Sequence, residues 1–372
     1  MAKKKKNQSK AAATKPAPPP PSATSPTPAK PAQPSATGNN KPLMLVAAIV
    51  VPLVLLGAVA IWLLSRPNPA ATTSPAAPVA AVFTGTVGSV DGCRIQPPFT
   101  QRLGFGRSTL LSTAERTVKG LILIEPAPAG QAPRTYQHPS WTVGGYLGPN
   151  AFDAKGNLYV APSPRVSLSD NPPEKQNTIY KVDGETGEMT AFITLPPAAP
   201  ITLRNPYGVM GLTYDCETNS LYASSVAGST RSDMVGRIYK IDMNTGQVAS
   251  QLDNLDAIGV GVFNTPQGKR LYMGSARTQD VLSVPLTPQG DFAGTPQVEF
   301  SLEGLGPDGS DKARKISFDK ANQMLVNGTK FNYNLAPPPA QQRPTTYRFG
   351  YNPAGDGWSF LDASAGPGSL TN

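Results

Sequence analysis

Two kinds of apolar pattern occur along this chain. From Leu43 to Leu64 it reads LMLVAAIVVPLVLLGAVAIWLL, without one charged side chain. At about 1.5 Å rise per residue such a run reaches roughly 33 Å, enough to cross a hydrocarbon core of about 30 Å. The pattern therefore predicts a transmembrane helix. Pro52 and Gly57 are tolerated in membrane helices, and an indole such as Trp62 near one end prefers the interface.

Beyond residue 82 the apolar residues come instead in short runs, and these runs repeat. Phe152-Asp153-Ala154-Lys155-Gly156-Asn157-Leu158-Tyr159-Val160 has counterparts beginning at Tyr214, Phe263 and Phe318, each an aromatic, an Asp or Asn, a turn, and a short apolar strand. A second motif follows the first. Ile179-Tyr180-Lys181-Val182-Asp183-Gly184-Glu185-Thr186-Gly187 recurs as Ile238-Tyr239-Lys240-Ile241-Asp242-Met243-Asn244-Thr245-Gly246, weakens over 284–290 and fades over 347–355. Apolar and polar side chains alternate in it with the period of two that marks a strand with one buried face. Asp-x-x-Thr-Gly then supplies a tight turn, glycine providing the positive φ.

Two hairpins per repeat make a four-stranded antiparallel sheet, and such sheets arranged radially make a β-propeller. A sandwich would not repeat the motif pair. Four repeats run from about Gly148, and Arg107 to Gly145, with its apolar Leu121-Ile122-Leu123-Ile124, reads as a degenerate blade before them. The prediction is an all-β domain of five to six four-stranded blades over residues 83–372, with Val82 to Ile95 completing the last blade beside Trp358 to Leu361. The motifs resemble the NHL, YVTN and gluconolactonase-like propeller repeats over roughly residues 148–355. That resemblance implies the architecture and, since one fold hosts many activities, little about function.

Charge is distributed unevenly. The formal net charge is +9, from 33 Lys and Arg against 24 Asp and Glu. Residues 1–42 hold eight of the lysines and no acid, and Arg66 follows the apolar run. The remaining chain is neutral, which leaves no basic stripe for nucleic acid. The tail is built of Pro, Ala, Ser, Thr and Lys, a composition that predicts disorder, and residues 65–82 read as a Pro/Ala-rich linker. Eight lysines on one side of the helix place the N-terminus in the cytoplasm and the large domain outside, with Leu43 to Leu64 as an uncleaved anchor in the cell membrane.

Candidate chemistry is sparse. The single histidine, His138, has no Gly-x-Ser-x-Gly elbow to accompany it and reads as structural or solvated. Cys93 and Cys216 stand beside turn residues and read as two exposed thiols, with a disulfide as the alternative. The resemblance to gluconolactonase-like propellers implies a central divalent cation, calcium, held by Asn and carboxylates where the inner strands begin. The matching positions are Asn150, Asn205, Asp256 and Asp311, which fall at unequal offsets from their repeat aromatics. The reading is therefore a binding or scaffold module without catalytic residue or cofactor. Its ligand, a protein or glycan, would sit on inter-blade loops, of which Ser163 to Gln176, Pro196 to Pro206 and Ala336 to Thr345 are long. The alternative is a cation-dependent lactonase- or esterase-like hydrolase.

Overall fold

The computed structural model describes residues 85–113, 117–163, 168–307, 309–333 and 344–366. The expected tail, the helix Leu43 to Leu64 and the linker lie outside the described residues. Among the described residues no helix is long and apolar enough to cross a membrane.

The domain is an all-β propeller of five sheets. After β1 (Gly88–Ser89) and a short helix α1 (Pro98–Arg102), blade I is built from β2 (Leu110–Ser112), β3 (Ile122–Glu125) and β4 (Arg134–Tyr136). Blade II holds β5 (Leu147–Phe152), β6 (Leu158–Pro162), β7 (Thr178–Val182) and β8 (Met189–Thr194). Blade III holds β9 (Val209–Asp215), β10 (Ser220–Ser225), β11 (Arg237–Asp242) and β12 (Gln247–Asp253). Blade IV holds β13 (Ala257–Thr265), β14 (Gly268–Ser275), β15 (Asp280–Pro285) and β16 (Gln297–Ser301). Blade V holds β17 (Lys312–Phe318), β18 (Gln323–Thr329), β19 (Thr345–Asn352) and β20 (Gly357–Ala365). The first strands β5, β9, β13 and β17 lie side by side in chain order.

The repeated aromatic-Asp pair makes the first turn of a blade for a local reason. Asp153 Oδ1 accepts from the backbone N–H groups of Lys155 at 2.8 Å and Asn157 at 2.9 Å, and Asp319 does the same for Ala321 and Gln323. These are Asx turns, in which a short side chain imitates a backbone turn. The second motif works likewise: Asp183 accepts from Glu185 and Thr186, and Gly187 closes the turn at φ +76°. The facing sides of neighbouring blades meet in four apolar seams among the described residues. Trp141, Leu147 and Tyr180 fill the seam of I and II; Ile179, Tyr214 and Tyr239 that of II and III; Tyr222, Val262 and Leu271 that of III and IV; Phe263, Phe318 and Tyr347 that of IV and V. Gly274 is required at the last seam, because a Cβ there would lie 1.8 Å from the Ala313 carbonyl oxygen.

Among the described residues the expected pairing of Val82 to Ile95 with the last blade is absent. β1 instead pairs antiparallel with the end of β13, Gly88 opposite Asn264 and Ser89 opposite Phe263. From there the chain runs as a strap across the face formed by the short turns. Val87 packs against the seam of IV and V, Val90 against that of III and IV, Cys93 against that of II and III, and Phe99 against that of I and II. One apolar side chain thus seals the end of each seam in turn. The cysteines are not free thiols: Cys93 and Cys216 form a disulfide, with Cα atoms 5.9 Å apart. A seam-by-seam route explains why the strap does not extend a single sheet, since each of its residues answers to a different pair of blades.

Candidate functional site

Strands alternate direction within each blade, so the long connections emerge together on the face opposite the short turns. This loop face carries the β8–β9 loop with Leu203, the β10–β11 loop with Met234, and the residues that precede β13 and β17. Leu203 is 65% exposed and Met234 43%. Val143 and Leu168, on neighbouring connections, are exposed as well.

Beneath these loops sits Asp256, with a fully buried side chain. Its Oδ1 accepts from Ser229 Oγ at 2.5 Å and from the Gly236 amide at 2.9 Å. Its Oδ2 accepts from the Tyr333 hydroxyl at 2.6 Å and from Arg277 Nε at 2.8 Å. Arg277 then donates onward to the carbonyl oxygens of Thr230, Arg231 and Asp233 at 2.7–3.0 Å. A buried charge is tolerated when paired and hydrogen-bonded, and here the pairing also fixes the β10–β11 loop that presents Met234. Burial, followed by the bond to Asp256, pushes the Tyr333 phenol well above its ordinary pKa of 10.0.

The four expected ligand positions separate into different roles. Asn205 joins the same cluster: its Nδ2 donates to Val226 O at 2.8 Å and Ser229 O at 2.6 Å, and its Oδ1 accepts from the Tyr207 amide. It ties the loop of Leu203 to the loop of Met234. Asp311 lies under blade V and accepts from the Tyr347 hydroxyl at 3.0 Å. Asn150 stays within β5, its Nδ2 reaching only Gly148 O at 3.4 Å. The offsets are not all unequal: Asp256 and Asp311 each stand seven residues before their repeat aromatics, Phe263 and Phe318, each immediately before the first strand of its blade and each bonded to a tyrosine. Among the described residues no three His, Cys, Asp or Glu side chains come together as a metal would require.

An apolar cluster adjoins these groups. Tyr207, Met210, Val226, Ile258, Ala276, Phe331 and Tyr333 pack as one buried cluster, with Tyr207 and Phe331 ring centroids 5.0 Å apart. At its edge the half-buried Lys312 ammonium donates to Ala276 O at 2.6 Å and Phe331 O at 3.3 Å. Burial and then the nearby Arg277 charge pull its pKa down. Lys312, Arg277, Ser229 and Tyr333 were not singled out by sequence reasoning. The one available signal was that Arg277 stands six residues after Leu271-Tyr272, where the aligned repeats have Ala227 and Pro164. His138 has the structural role expected, its Nδ1 accepting from the Ser140 amide at the start of a short 3-10 turn.

No family model matches this chain, and no curated protein matches it. Solved propellers resemble it at low identity. A calcium-binding protein, regucalcin, from Agrobacterium tumefaciens str. C58 is 12% identical over 76% of this chain and 79% of its own, with a TM-score of 0.41. A luciferin-regenerating enzyme is 11% identical over 76% and 80%, with a TM-score of 0.41. A chain of a nidogen/laminin complex is 12% identical over 70% and 93%, with a TM-score of 0.38. Likeness of this degree carries no argument about ligand or activity.

Proposed function

We propose that this chain is a membrane-anchored propeller that acts as a binding or scaffold module outside the cytoplasmic membrane, taking a protein ligand on its loop face. The observation that carries the reading is how Asp256 and Asn205 are used. Both oxygens of Asp256 and both polar ends of Asn205 are spent inside the domain, holding two loops whose tips expose Leu203 and Met234. Apolar side chains on loops fixed by a rigid scaffold suit partner recognition. The anchor over Leu43 to Leu64 and the lysine-rich side of it support the placement outside.

The competing reading, a cation-dependent lactonase or esterase, needs oxygen ligands free to converge on calcium. The test is turnover of a lactone and ester panel by the full chain with and without calcium. The binding reading expects none. Turnover that depends on calcium and is abolished by Asp256→Asn would replace it with the hydrolase.

A further inference from the structure

The strap is held unevenly along its length. From Pro97 onward it is anchored by the domain itself: Phe99 is buried beside Trp141, with ring centroids 5.9 Å apart, and its amide donates to Gly184 O at 3.0 Å. Over 85–96 the non-covalent hold is thin. Val90 is the single fully buried apolar side chain there, while Ile95 is 47% exposed. β1 contributes two residues of pairing, and one further backbone bond joins Cys216 N to Val90 O at 3.0 Å. Arg94 spends its charge on Asp91 within the strap, 3.0 Å away. Beyond the half-buried Val87 at the seam of IV and V and the Gln96 side chain, which donates to Thr100 Oγ1 at 2.9 Å and to Gly106 O at 3.0 Å, what remains is the disulfide, both of whose cysteines are half-buried rather than enclosed.

The blade side of the bond does not depend on it. The β9–β10 turn that carries Cys216 is formed by Asp215, which accepts from the Glu217 amide at 2.9 Å, the Thr218 hydroxyl at 2.7 Å and the Lys269 ammonium at 2.6 Å. Losing the sulfur bridge leaves those bonds in place.

We propose that the Cys93–Cys216 disulfide is a releasable latch, whose reduction by a dithiol frees the strap over 86–96 while the blades keep their sheets. In that reaction the sulfur–sulfur bond breaks and accepts two electrons and two protons. Both cysteines become thiols, and the dithiol closes to its own disulfide. The released state uncovers the turn-face ends of the seams. It also frees the β1 side of β13 at Phe263–Asn264, whose other side stays paired with β14, an edge of the kind to which an extended segment can add.

The test is hydrogen exchange of the full chain, oxidised and after treatment with dithiothreitol, read peptide by peptide. A Cys93→Ser variant supplies the released state without reductant. The latch predicts that amides over 86–96 exchange at least tenfold faster in both released forms, that trypsin gains a cut after Arg94, and that β10, β11 and β14 exchange as before. Unchanged exchange of the strap would overturn it, showing that the strap holds without the bond. Blade strands accelerating together with the strap, or a Cys93→Ser chain that does not fold, would also overturn it, since the bridge would then be a staple of the whole domain.

Discussion

Tyr333, in the connection between β18 and β19, donates its hydroxyl hydrogen to Asp256 Oδ2 at 2.6 Å, joining blade V to the loop before blade IV across 77 residues of sequence. The same carboxylate oxygen takes Arg277, so one buried group sets the positions of three loops.

This relationship predicts unequal costs for two conservative substitutions. Asp256→Asn removes the charge opposite Arg277 and should cost about 3–5 kcal/mol, the usual penalty for breaking a buried pair from one side. Tyr333→Phe deletes one hydroxyl and leaves the carboxylate three other donors, so it should cost about 1–2 kcal/mol. Urea unfolding of both variants measures this. Equal costs would mean that Arg277 is not held by Asp256 in solution.

The tyrosines make a prediction about alkali. Burial first, and neighbouring carboxylates second, raise the pKa of Tyr159, Tyr222 and Tyr333 above the ordinary 10.0. A group whose folded pKa is raised contributes stability that is complete below the unfolded value and declines as pH rises past it. The domain should therefore lose stability above about pH 10, where unfolded chains ionise and the buried phenols do not. Tyrosinate absorbance from these residues should appear together with loss of the β spectrum. Full ionisation in a still-folded domain would contradict their burial.

Calcium should not matter to stability. A ligand that binds the native state raises its melting temperature by mass action, and the oxygens of Asp256 already accept four protein donors. The expected melting temperature is the same in millimolar calcium and in chelator. A reproducible rise with calcium, lost in Asp256→Asn, would reveal a site.

Topology gives a separate check on the anchor. A reporter active only outside the cytoplasm, fused after Asn372, should be active, and a cytoplasmic one silent, because eight lysines precede the apolar segment and positive charge stays inside. The opposite pattern would reverse the orientation.

The blades were legible because each turn is decided locally. Asp153, Asp183 and Asp319 bond the backbone within four residues, so their motifs survive in sequence as fixed spacings. Asn264 already departs from the pattern, its Nδ2 reaching Glu217 of the neighbouring blade instead. The strap and the loop-face cluster were illegible for the opposite reason. Val87, Val90, Cys93 and Phe99 answer to four different seams, and Asp256 meets Ser229, Arg277 and Tyr333 from three separate loops. Nothing near each residue in sequence records its partner. Asp256 and Asn205 were found as polar residues near strand entrances, but their use in holding loops follows only from partners distant along the chain.

The most direct test of the loop face as a binding surface is comparative capture from the protein's own membranes. The full chain, a Leu203→Asp/Met234→Asp variant and a turn-face Lys320→Glu variant would be solubilised, cross-linked and quantified side by side. Both loop substitutions sit at exposed positions, so the fold should be kept and the melting temperatures should agree. A binding loop face should yield a cross-linked protein shared by the unmodified chain and Lys320→Glu and depleted at least tenfold in the loop variant, with cross-links on the loops of blades II and III. Equal capture by all three forms, or cross-links confined to the turn face, would contradict it.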